Sequence, residues 1–122
     1  MSALTFACAM AGCGAGAVLR FWLGTLRRPH HLPWPTLVAN VLGTALLGAG
    51  AALADGGHIS PAAAIIVGGG VAGGLTTFST LAVEAVVLWR SSRVRAVAYL
   101  AVTGAAGVAA GFLGWFVAGA VT

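Results

Sequence analysis

One stretch of the chain gathers residue types that can bind an ion at membrane depth. It runs Gly68-Gly69-Gly70-Val71-Ala72-Gly73-Gly74-Leu75-Thr76-Thr77-Phe78-Ser79-Thr80, with Glu84 a turn further on. Glycine weakens a helix by roughly 1 kcal/mol per residue relative to alanine. A helix through this run is therefore expected to open, with the break placed at Gly73 to Thr80. A break releases backbone carbonyls, which attract cations, and half-helix N-termini, which attract anions. Thr76, Thr77, Ser79 and Thr80 add hydroxyls that both donate and accept. From the residues alone two readings stay open: an ion-binding break, or threonines bonded back to their own helix. Glu84 shares one helical face with Thr77 and Thr80. A carboxylate inside a membrane crossing is functional by default; the plainer reading is a partner for Arg20 or for a hydroxyl.

The elements that must hold this stretch follow from composition. Of 122 residues, 60% are hydrophobic and 7% charged, against roughly a quarter charged in a soluble domain. Four apolar spans can be marked, about Ala3 to Leu26, Thr36 to Ala54, Ala62 to Trp89 and Ala96 to Val121. Each suffices to cross about 30 Å of hydrocarbon at 1.5 Å per residue. The expected fold is an all-α membrane protein, residues 1–122 forming a single domain of four transmembrane helices with the third broken. Ser60-Pro61 reads as an N-cap with proline at the first helical position, so the third span starts at Pro61. Pro29, His30-His31 and Pro33 keep the first two spans apart, with His30, His31 and His58 as solvated loop side chains. Small-xxx-small spacings at Gly12 and Gly16, Gly69 and Gly73, Gly70 and Gly74, and Gly107 and Gly111 predict close helix packing. Cys8 and Cys13 lie within the first span and read as small apolar fillers.

The net charge of +4 is topological and does not point to nucleic acid. Arg27 and Arg28 fall in the first loop, Arg90, Arg93 and Arg95 around the third, and none in the second loop. The positive-inside rule then puts loops one and three in the cytoplasm of an inner-membrane protein. Trp22, Trp34 and Trp89 sit near the same ends, as interfacial anchors do. No nucleophile–base pair, phosphate loop or zinc spacing is present, which argues against an enzyme.

The string Gly73-Gly74-Leu75-Thr76-Thr77-Phe78-Ser79-Thr80 with Glu84 resembles the central motif of the Fluc (CrcB) fluoride channels. Gly14-Ala15-Gly16-Ala17-Val18-Leu19-Arg20 and Thr36-Leu37-Val38-Ala39-Asn40-Val41-Leu42-Gly43 agree with it in the first two spans. The resemblance implies an antiparallel, dual-topology-type dimer with two fluoride pathways along the subunit interface. It also implies a central structural Na+, not transported, held by the carbonyls of Gly73 and Thr76. By motif position Asn40 is the pore asparagine and Phe78 the first of two pore phenylalanines. Ser79, Thr80, Tyr99 and Thr103 are further candidates for the pathway, and Arg20 and Glu84 for its vestibule charges. Asn40 and the hydroxyls offer donors to a small, strongly hydrated anion, and the edge of the Phe78 ring is electropositive.

One position departs from the family pattern: Leu81 stands where a second phenylalanine is usual. Leucine has no ring quadrupole, so the pathway using this side chain is expected to be altered or closed. Together with the lopsided loop charges, this favours a fixed orientation and a homologous second subunit over an antiparallel homodimer. Two rivals remain beside a fluoride channel that relieves cytoplasmic fluoride. One is a small multidrug-type exporter exchanging organic cations for protons, which needs a carboxylate deep in the first span, where this chain has none. The other is a non-conducting partner subunit.

Overall fold

The computed structural model describes residues 1–29 and 32–122, so the expectation for His30 and His31 lies outside the described residues. Helix α1 spans Ala3–Gly24 and α2 spans Trp34–Asp55. The third crossing, Pro61–Ser91, is composite. It starts as α3 (Pro61–Ala64), continues as a π-helical stretch, Ile65–Ala72, and then as α4 (Gly73–Leu75). After a break it resumes as α5 (Ser79–Ser91). Helix α6 spans Arg93–Val121. All four crossings are long and apolar enough to span a membrane, and the chain is a multi-pass membrane protein.

Local chemistry sets the boundaries. Ser60 caps the third crossing by accepting from Ala63 N at 3.1 Å, with Pro61 at the first helical position. Ser2 does the same for α1 through Thr5 N at 3.1 Å. After α2 the chain turns at Gly56 and Gly57, and Gly57 adopts φ +72°, a conformation open to glycine at no steric cost. The third loop reduces to Ser92, whose hydroxyl accepts from Arg95 N at 3.3 Å. There the Arg93 guanidinium stacks over Trp89, 5.1 Å from the ring centroid. Pro35, expected in the first loop, instead lies in the first turn of α2, where its missing N–H costs no helical bond.

The expected opening is narrower than the window read from sequence. Gly73–Leu75 and Ser79 onward are helical, and only Thr76, Thr77 and Phe78 leave the helix. Thr76 is extended at φ −78°, ψ 153°. The glycines Gly68, Gly69 and Gly70 do not open the chain; they lie in the wide π turns, a rare form often found beside functional positions. The two halves of the crossing pack on different partners, the first along α1 and α2 and the second along α6. The break is where the chain changes partner.

Glycines make the first of these seams. A methyl at Gly70 would meet Ala9 O at 2.7 Å, and one at Gly16 would meet Leu75 N at 2.8 Å. Gly74 is closed in the same way against the Cys13 backbone, and Gly48 and Gly114 of α2 and α6 against Gly111 and Ala45. Of the predicted spacings, Gly16, Gly70, Gly74 and Gly111 fall at close approaches, and a methyl at Gly12 would meet Val71 Cγ2 at a tight 3.2 Å. Gly69, Gly73 and Gly107 do not: a methyl at Gly69 would enter open space, one at Gly73 would lie 3.7 Å from Gly68 O, and one at Gly107 3.9 Å from Thr44 Oγ1.

Candidate functional site

The break is held by side chains from other helices together with hydroxyls of its own. In an unbroken helix the carbonyl of Gly73 would accept from Thr77 N, and that of Thr76 from Thr80 N. Both donors are diverted. Thr77 N donates to Asn40 Oδ1 at 2.8 Å, and Thr80 N donates to Thr77 Oγ1 at 3.2 Å. The carbonyls of Gly73 and Thr76 thereby lose their helical partners, and Gly73 O keeps only a 3.5 Å contact from the Thr76 hydroxyl. Asn40 brackets the Thr77 residue, since its Nδ2 also donates to Thr77 O at 3.2 Å. That bond uses one of two amide hydrogens, leaving the second as a donor. Arg20 completes the frame: its Nε donates to Gly74 O at 3.2 Å, on the carbonyl that Phe78 N would otherwise satisfy.

Two hollows meet at this frame. On one side lies a cleft of about 430 Å³, bordered by Arg20, Arg27, Thr36, Thr77, Thr80 and Glu84. On the other is a groove of about 350 Å³ bordered by Asn40, Gly73, Thr76, Thr77, Phe78 and Leu81. Thr77 belongs to both. Gly73 is exposed, Thr76 half-buried, and Phe78 is 81% exposed. Gly43 makes room for this arrangement, because any side chain there would collide with the Thr76 methyl.

The cleft has one carboxylate and two guanidinium groups. Glu84 is 7% exposed and accepts three bonds: Tyr99 Oη at 2.7 Å, Thr36 Oγ1 at 3.0 Å and Arg27 Nη1 at 3.4 Å. Its partners are two hydroxyls and Arg27, where the sequence suggested Arg20 or a hydroxyl. Arg20 and Glu84 border the same cleft without pairing. Ser79 is exposed, with its hydroxyl 3.3 Å from that of Thr77. Thr80 faces the cleft and accepts from Thr77 Oγ1 at 3.2 Å. Tyr99 and Thr103, one turn apart on α6, are buried and border neither hollow. The Thr103 hydroxyl is a buried group without a hydrogen-bond partner among the described residues. Leu81 packs against Ala85, Leu88, Ala96 and Tyr99 while bordering the groove.

Sequence reasoning missed Thr36, Arg27 and Gly43. Thr36 was visible only as part of a motif, and Arg27 only as a loop charge. The donor set at the break is hard oxygen, suited to an alkali or alkaline-earth cation and not to a soft metal. Among the described residues no three His, Cys, Asp or Glu side chains gather. Freed carbonyls beside an open groove therefore fit a small cation held by backbone.

The profile of the family described as CrcB-like protein, Camphor Resistance (CrcB), matches residues 7–115. The chain belongs to the CrcB family. Among its relatives, a protein of Cronobacter sakazakii named fluoride-specific ion channel FluC is 43% identical over 86 residues, covering 68% of each chain. A Klebsiella pneumoniae protein of the same name is 44% identical over 89 residues, again 68% of each. One from Renibacterium salmoninarum, named likewise, is 38% identical over 84 residues, covering 62% of this chain and 67% of its own. The CrcB match takes in every residue of the break, the cleft and the groove.

Proposed function

We propose that this chain is a subunit of a fluoride-selective channel that lets fluoride leave the cytoplasm down its gradient, relieving fluoride toxicity. The carrying observation is the frame at Thr77, in a chain similar to proteins named for fluoride conduction. Asn40 retains a free donor there, Phe78 presents its ring in the adjoining groove, and hydroxyls of Thr80, Ser79 and Thr77 stand within one turn. Tyr99 and Thr103 are buried on α6 behind the cleft, where Tyr99 would act on the route through its bond to Glu84 and Thr103 through its hydroxyl, unpartnered among the described residues. Arg20, Arg27 and Glu84 set the charge of the cleft. Fluoride is stripped of water only where closely placed donors replace it, and several modest contacts favour passage over trapping.

Gly73 and Thr76 are the residues that would hold a structural, non-transported Na+. When bound, it supplies fixed positive charge beside an anion route. The exposed break supports a dimer. Unwound backbone at membrane depth must be covered by protein or line a watery path, and Gly73 and Phe78 are open on a single chain. A second subunit laid against the groove covers both. The arginines at loops one and three favour a cytoplasmic position for that end in the inner membrane.

Leu81 favours a second, narrower reading: a subunit that conducts only with a homologous partner. It borders the groove beside Phe78, where an aromatic edge would otherwise face the anion. Growth of a fluoride-sensitive bacterial strain tests both readings. Expression of this chain, alone or with a homologous subunit, should permit growth at fluoride concentrations that arrest the empty-vector strain. No rescue in either arrangement, with the protein present in the membrane, would contradict the proposal; rescue only with the partner selects the narrower reading.

A further inference from the structure

Arg27 lies just past the end of α1, its backbone N–H bonded to Gly24 O at 3.2 Å, and its side chain reaches into the cleft while staying 45% exposed. Of the three contacts on Glu84 it is the longest and the only one not fully buried. Exposed ion pairs are weak and easily exchanged, and Glu84 would keep both buried hydroxyls if Arg27 let go. Arg20, in contrast, is tied to Gly74 O inside the bundle. The cleft thus carries a fixed cation at its inner end, an exchangeable one at its mouth and one carboxylate between them. Two positive charges against one negative leave it attractive to anions along its length.

We propose that Arg27 is an anion-accepting residue at the mouth of the cleft, shared between the Glu84 carboxylate and incoming fluoride. It captures fluoride when fluoride is scarce and passes it inward toward Thr80 and the Thr77 frame. The idea rests on the fluoride-channel reading. Arg28, next along the chain, has no bond to the cleft among the described residues and serves as the comparison.

The test is fluoride efflux from lipid vesicles carrying the wild-type chain, R27Q, R27K or R28Q, with the homologous subunit present in all samples if the wild type requires it. Rates are taken at low and saturating fluoride, in low and high concentrations of an inert salt. Removing a steering charge should lower the low-fluoride, low-salt rate of R27Q about three- to tenfold, leave its saturating rate within about twofold, and flatten its salt response. R27K should recover most of the loss, and R28Q should resemble the wild type. The proposal is overturned if R27Q matches the wild type at low fluoride, or if R28Q loses as much as R27Q. It also falls if R27Q is slowed equally at every fluoride and salt level with R27K no better, the pattern of a purely structural contact. A wild type that carries no fluoride sinks the functional reading and this inference together; a conducting wild type with an unaltered R27Q sinks this inference alone.

Discussion

The two hollows that meet at Thr77 solve opposite problems. In the cleft, polar groups are matched: the Glu84 carboxylate is buried and takes three donors from α2, α6 and the turn after α1. In the groove they are left unmatched and open, with Gly73 exposed and two carbonyls deprived of helical donors. A single chain in lipid can keep the first arrangement indefinitely, but the second requires something laid over it. The difference separates polar groups that the chain satisfies by itself from those it leaves open. The cleft is closed within one chain, whereas the groove, in the proposed channel, would be completed by a second subunit.

The comparison can be broken most severely at Asn40, the side chain that holds both the N–H and the C=O of Thr77. Asn40→Ala strands the Thr77 N–H and C=O together; both are part-buried, so each should cost no more than a fully buried group left without a partner, about 1–3 kcal/mol. Thermal unfolding in detergent should shift down sharply, and fluoride efflux should fall to the level of empty vesicles. An Asn40→Ala protein as stable as the wild type would mean that the frame is not what holds the break open.

At the cleft the expected effect is smaller, because substitution can be graded. Glu84→Ala removes the acceptor of the buried Tyr99 and Thr36 hydroxyls and should cost about 2–4 kcal/mol in denaturant unfolding. Glu84→Gln keeps an acceptor oxygen and should cost less than half as much. Equal losses for the two would show that charge, not hydroxyl matching, governs the cleft. At the seams a single methyl separates two glycines. Gly74→Ala drives a side chain into the Cys13 backbone and should destabilise by about 1–3 kcal/mol. Gly69→Ala enters open space and should be neutral or stabilise by up to about 1 kcal/mol. The smallest effect is expected at Thr103, whose buried hydroxyl lacks a partner. Thr103→Val should raise stability by about 1 kcal/mol while slowing fluoride efflux, and an unchanged efflux rate would remove Thr103 from the pathway.

Much of this frame was legible in the sequence. Glycine followed by four hydroxyls placed the break, Ser60-Pro61 placed the start of the third crossing, and apolar length gave four spans, because each of these signals is local. What held the break was not legible. Asn40 meets Thr77 across 37 positions, Arg20 meets Gly74 across 54, and Arg27 meets Glu84 across 57. Helical periodicity relates residues three or four apart and is silent on such pairs. The glycine run shows the same limit from the other side. Propensity predicts weakness over its whole length, but packing against α1 kept Gly70 and Gly74 wound and left the opening to Thr76, Thr77 and Phe78.

The central claim is that the frame at Thr77 belongs to a fluoride-selective conduit, and ion-selective electrodes on vesicles carrying the purified chain test it most directly. With fluoride and chloride both trapped inside, the account predicts fluoride release well above that of empty vesicles while chloride stays behind, from this chain alone or together with a homologous subunit. Fluoride retained as in empty vesicles in both arrangements, or chloride leaving as fast as fluoride, would contradict it.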